Sequence, residues 1–357
     1  MVPRTAAAVC AALLVLLAAC GAPSPSSGRP DSAASAASAE DREVRELAEL
    51  FTLLSDPGIK DEERFAVVQT IADAYLRSRD YGRLVSFLTG VVEKDASDPY
   101  AAHYLFTVAY AYLQSGAREV AALYFDRIVK NHPDLILKGE SIHKVCLERL
   151  LELSPSPVRR IDYRRELIAR FPDSIDLGAA WFLLGKEYER IGDWDAALAA
   201  YQKYLPHFGS SIPGYPDAFQ YARTMIEFAN SPKDWTYESL DDLVGRVQAA
   251  LAQGSPRTLQ RLRAKVGFFA MSWQQDQTEG NSQVLFDFSE FMTRSRIFSA
   301  PALDPGSNAR EAFLRTWGWS ERIATWYLYF RKINFPSDPE IHGRWEWAGI
   351  YFGEKLN

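Results

Sequence analysis

The chain has 357 residues, 47% hydrophobic and 13% aromatic, which supplies core for more than one domain and excludes general disorder. Its formal net charge is −6, so no basic surface recommends a nucleic-acid partner. Five of the nine tryptophans (Trp317, Trp319, Trp326, Trp345, Trp347) fall after residue 316, an asymmetry that points to two differently built parts.

Residues 1–19 carry one charge, Arg4, ahead of an apolar run from Ala6 to Ala19. A short positive region before a brief apolar one reads as a secretory signal peptide. The run is shorter than the roughly 20 residues a spanning helix needs. It closes with Leu17-Ala18-Ala19-Cys20, which resembles the lipobox of bacterial lipoproteins. The resemblance implies cleavage before Cys20, acylation of its thiol and new amine by chains such as palmitate, and a membrane anchor in the bacterial cell envelope. The expected location is the periplasmic face of the outer or inner membrane, or the cell surface. Cys10 would leave with the signal and Cys20 would be lipidated, so Cys146 stands alone and no internal disulfide is expected. Residues 20–40, the cysteine and a Ser/Ala/Pro-rich stretch, offer almost nothing to bury and are predicted to be a disordered tether.

From Asp41 to Lys265 apolar residues recur at three- and four-residue spacing (Val44, Leu47, Leu50, Phe51, Leu54), a helical period. Turn signals cut this stretch into short segments, so internal repeats are the first thing to test. One segment reads Trp181, Leu184, Gly185, Tyr188, then Gly192-Asp193-Trp194, Ala197 and Tyr201. A second reads Leu105, Val108, Ala109, Tyr112, Gly116, Ala121, Phe125 and Pro133. A weaker copy runs through Val68, Ile71, Ala72 and Tyr75, with Leu84 and Leu88 where the others have a small and an aromatic residue. A degenerate hairpin fills 139–174, and 215–230 with 237–253 give one more helix pair.

This pattern resembles the tetratricopeptide repeat, a helix–turn–helix unit of about 34 residues in which small residues let two helices approach and bulky ones fill the space around them. The resemblance is specific over 102–209 and implies a solenoid with a concave face. It implies that first-helix residues pointing away from the packing stripe line that face: His103, Phe106, Tyr110, Leu113 and Gln114, then Ala179, Phe182, Lys186, Glu189 and Arg190. Aromatic and Arg side chains suit a protein or peptide partner.

After Lys265 the pattern changes. Arg296–Ala300, Thr325–Arg331 and Arg344–Phe352 read as strands, and the stretch Gln283–Phe291 alternates weakly. Residues 266–357 are predicted to form a small antiparallel β sheet or barrel of five or six strands. Strict alternation would put Trp345, Trp347 and Tyr351 on one face as a platform for a sugar or other ligand. The fold class expected is thus α + β, an all-α repeat domain followed by a mainly β domain.

Catalysis has little support. None of the five histidines sits in H-E-x-x-H, no C-x-x-C exists, and neither a nucleophile elbow nor a phosphate loop is present. No catalytic residue, metal or cofactor is assigned. The function expected is a membrane-anchored scaffold or adaptor for envelope proteins or peptide segments, with a ligand- or carbohydrate-binding, or carbohydrate-active, envelope protein working through the aromatic C-terminal part as the alternative.

Overall fold

The computed structural model describes residues 31–273, 286–292 and 296–355. The signal segment, Cys20 and the first half of the tether lie outside the described residues. The second half of the tether corrects its expectation: helix α1 runs from Asp31 to Leu54 and so includes residues 31–40. Five of those ten residues are alanine, the best helix former, and they extend a helix already nucleated by the apolar turn that follows. Among the described residues no helix is long and apolar enough to cross a membrane.

The chain divides into two compact units at Phe171/Pro172. The first holds α1 and three helical hairpins: α2 (Asp61–Arg77) with α3 (Tyr81–Lys94), α4 (Ala101–Gln114) with α5 (Arg118–Asn131), and α6 (Ile142–Leu153) with α7 (Pro157–Arg170). Three of these helix starts have a side-chain cap. Asp80, Ser141 and Ser156 accept from the backbone N–H three residues on, and Pro157 occupies the first turn of α7. A two-stranded ribbon, β1 (Ile136–Leu137) and β2 (Glu140–Ser141), separates α5 from α6.

The second unit opens with the best-matched hairpin, α8 (Leu177–Ile191) and α9 (Trp194–Tyr204). Asp176 and Asp193 cap its two helices, and Gly192 ends α8 in the left-handed region at φ 78°. A Cβ on Gly185 would lie 2.5 Å from the Tyr201 ring, so the glycine is what allows α8 and α9 to touch. Ala109, Ala121 and Ala197 are fully buried at corresponding close approaches. The left-handed turn residue recurs at the same repeat position as Gly116, φ 82°, and, in the weak copy, as Arg79, φ 57°. The helical part of the chain is therefore a tetratricopeptide-like array of hairpins.

Helices α10 (Ala218–Asn230), α11 (Leu240–Ala252) and α12 (Pro256–Leu262) follow, and then a five-stranded sheet with the short helix α13 (Phe288–Met292) between its first two strands. In sheet order these are β3 (Phe269–Ser272), β7 (Trp345–Phe352), β6 (Trp326–Lys332), β5 (Glu311–Trp317) and β4 (Phe298–Ser299). The sheet is mixed rather than antiparallel, because β3 runs parallel to β7, and it is not a closed barrel. Strand β5 was not foreseen, and the weakly alternating segment before Phe291 ends in helix α13. The expected change from helices to strands near Lys265 falls inside the second unit. There α8, α9 and α10 share one core with Trp235, Val266, Ile333 and Phe335, while α11 and α12 cover one sheet face.

Candidate partner-binding groove

The first unit contains a cavity of about 890 Å³. Helix α2 supplies Phe65, Gln69 and Asp73. Helix α4 supplies His103, Phe106, Tyr110, Leu113 and Gln114, all five of the residues assigned to the groove in this repeat. Helix α6 adds Val145, Glu148 and Arg149, and the tip of the β1–β2 ribbon adds Leu137 and Lys138. The cavity is thus the inner side of three successive first helices, partly roofed by the ribbon.

The floor is apolar. Phe106 packs on Phe125 of α5 with ring centroids 5.7 Å apart, and Phe65 stacks on Tyr100 at 4.2 Å while meeting the His103 ring edge-on. Tyr110 accepts from the Gln114 amide at 2.7 Å, which fixes both side chains along α4. Burial pushes the His103 imidazole down to about 4, helped by the nearby Lys138 ammonium, so the ring is neutral at ordinary pH. Burial pushes the Asp73 carboxyl up against the opposing pull of Arg77 and Lys138, and does the same to Glu148 against Lys144. Among the lining residues three acids (Asp73, Glu148, Glu152) face three bases (Lys138, Arg149, Arg164), so with His103 neutral the groove carries no formal charge. A largely apolar concavity with a few placed polar groups is a binding site in form.

The second set of expected groove residues is placed differently. Phe182 is fully buried among Tyr201, Tyr204, Tyr215 and Tyr221 and belongs to the core. Lys186 pairs with Glu189 and lies 4.3 Å from the centroid of the Tyr221 ring. Glu189 accepts from the hydroxyls of Tyr201 at 2.7 Å and Tyr221 at 2.6 Å, and Arg190 pairs with Glu187 at 2.7 Å. Tyr215 and Tyr221 lie before and on α10, so this chain covers that face itself.

The proposed aromatic platform does not assemble either. Opposite β6 the register slips between Tyr329 and Phe330, leaving Ala348 as an extra residue in β7. Trp345 and Trp347 are buried on the side covered by α11 and α12, whereas Tyr351 falls on the other side with Phe269, Phe313 and a stacked Trp273. Glu346 is fully buried, accepting from Trp235 Nε1 and Arg331 Nε at 2.9 Å each, an arrangement that ties β7 to its surroundings. Among the described residues no group of His, Cys, Asp and Glu is arranged to hold a metal ion.

The α2 contribution was recoverable. Aligning Ala72 with Ala109 carries Phe106, Tyr110 and Leu113 onto Gln69, Asp73 and Leu76, and all three line the groove. The ribbon tip had no counterpart in the repeat pattern and left no such signal.

No family model and no curated protein matches the chain. Among solved structures, the crystal structure of MamA is similar at 18% identity over 44% of this chain and 84% of that one, with a TM-score of 0.28. A tetratricopeptide repeat protein from Parabacteroides merdae ATCC 43184 is similar at 14% identity over 54% and 75% of the two chains, with a TM-score of 0.31.

Proposed function

We propose that the protein is a non-catalytic scaffold of the bacterial envelope, anchored through acylated Cys20, that holds a protein partner in the groove of its first unit. The observation that carries this reading is the open cavity of about 890 Å³ that α4 lines with Phe106, Tyr110 and Leu113. Arrays of helical hairpins use such concave faces to hold other chains. The anchor rests on the lipobox-like sequence alone, and Cys20→Ser is expected to move the protein from the membrane to the soluble fraction.

Affinity capture from detergent-solubilised native membranes tests the groove. A Phe106→Ala/Tyr110→Ala variant should keep the wild-type circular dichroism and lose a partner that the wild type retains. Equal capture by both would remove the groove as the working surface. The sugar-platform alternative has lost its basis, since Trp345 and Trp347 are buried and Tyr351 faces the other way.

A further inference from the structure

The start of α6 and the end of α7 meet at a histidine. His143, the second residue of α6, is buried, and its Nδ1 lies 2.6 Å from Nη2 of Arg170, the last residue of α7. A guanidinium only donates, so Nδ1 is the acceptor and the single proton of the neutral ring sits on Nε2. Nε2 is itself buried. A second proton can therefore enter only at Nδ1, where it would point at the N–H group that Nδ1 now accepts from. Two donors and two positive charges do not share a contact of 2.6 Å.

Charging the ring thus has to displace Arg170. Glu166 at 2.7 Å and the Phe171 ring hold that guanidinium against its own stretch of chain. Its contacts to other elements, among the described residues, are His143 and the Asp134 carboxylate at 4.0 Å. Asp134 is held without it, accepting from Ser141 Oγ at 2.6 Å and from the His143 backbone N–H at 3.0 Å. The groups that face the ring are Asp134 and the His132 carbonyl, from the stretch between α5 and β1, and Arg170 and Glu166 of α7. Burial is the largest influence and, with Arg170, disfavours the charged ring, while Asp134, the His132 carbonyl and Glu166 favour it. The balance holds the imidazole below its ordinary range. The contact is therefore closed at neutral pH and opens as the pH falls below the ordinary histidine value.

We propose that the His143–Arg170 contact is an acid-sensitive latch: a proton on Nδ1 expels the guanidinium and frees the last turn of α7, directly before the chain enters its second unit at Pro172. The latch is independent of what the groove of the first unit binds. It gives the protein a local response to acid that leaves the hairpin core in place.

Hydrogen exchange of the full chain, read by mass spectrometry at pH 7 and pH 5 and corrected for intrinsic exchange rates, tests it. In the wild type the amides of residues 164–171 should lose protection about tenfold at pH 5, the scale of one charge-assisted hydrogen bond. Those of residues 101–131 should keep theirs. His143→Gln, which retains an acceptor but cannot take up a proton, should leave the end of α7 equally protected at both values. In Arg170→Gln the end of α7 should be equally open at both, and the His143 ring, followed by NMR, should titrate at a higher pH than in the wild type. Unchanged protection of 164–171 in the wild type, an acid loss that survives His143→Gln or is shared by 101–131, or a His143 titration unmoved by Arg170→Gln would overturn the latch.

Discussion

Two hairpins of one repeat family, α4–α5 and α8–α9, present the same first-helix face in opposite conditions. Around Phe106 the face is open and belongs to a cavity, while around Phe182 it is sealed by aromatic side chains from the next stretch of chain. The repeat motif fixes how two helices of a hairpin touch, through Gly185 against Tyr201 or Ala109 beside Ala121. It does not fix what lies over the outward residues of the first helix. A phenylalanine at one repeat position is therefore core in one copy and groove in the other.

The largest expected effect breaks this comparison most directly. Phe182→Ala should destabilise the second unit by about 3–5 kcal/mol, the range for deleting a buried aromatic side chain, and leave partner capture by the first unit unchanged. Phe106→Ala should behave in reverse, with a smaller loss of stability and a large loss of binding. Denaturant unfolding of both variants, beside a capture assay, reads the two effects separately. Equal destabilisation would mean that Phe106 is core as well, and the contrast between the faces would disappear.

Acid sharpens the comparison at the next magnitude. His103, His132 and His143 all lie in the first unit and are all held below the ordinary histidine range, chiefly by burial. The unfolded His103 takes up a proton near pH 6.5, and the folded one only near 4. Folding is therefore unaffected by this group above pH 6.5, loses stability as the pH falls below it, and reaches the full loss near pH 4. The shift amounts to roughly 3 kcal/mol for His103. His103→Gln should accordingly flatten the fall in melting temperature between pH 7 and 4.5. A profile identical to that of the wild type would show that the imidazole is solvated, and the groove wetter at α4 than its lining suggests.

Much of the fold was legible in the sequence, for identifiable reasons. Close helix contacts demand small residues at fixed spacing, so Gly185, Ala197 and Ala109 announce the hairpins, and Gly116 with Gly192 announces the turns between their helices. The weak copy places Arg79 in the same left-handed turn, which shows how far the backbone pattern persists after its residue preference has gone. What alternation could not foresee was the extra residue at Ala348, which separates Tyr351 from Trp345 and Trp347. Nor could it foresee strand β5, whose Glu311–Trp317 run mixes charged and apolar residues. The groove was half legible. The α4 residues follow from the repeat register, whereas Lys138 arrives on a ribbon outside it, and the closure over Phe182 depends on Tyr215 and Tyr221, which lie beyond the motif.

The smallest effect separates ring packing from hydrogen bonding. Tyr221 is over a third exposed, so on Tyr221→Phe water can replace its hydroxyl at Glu189, which keeps its bond from Tyr201 and its pairing with Lys186. The substitution should cost about 1 kcal/mol or less, a modest net value for a hydrogen bond that solvent can take over. Denaturant unfolding measured against Phe182→Ala places the two on one scale. A cost for Tyr221→Phe near that of Phe182→Ala would mean that the polar network, rather than the buried rings, holds the second face shut. A small cost means that the buried rings around Phe182 supply the stability of this face and the exposed hydroxyl adds little to it.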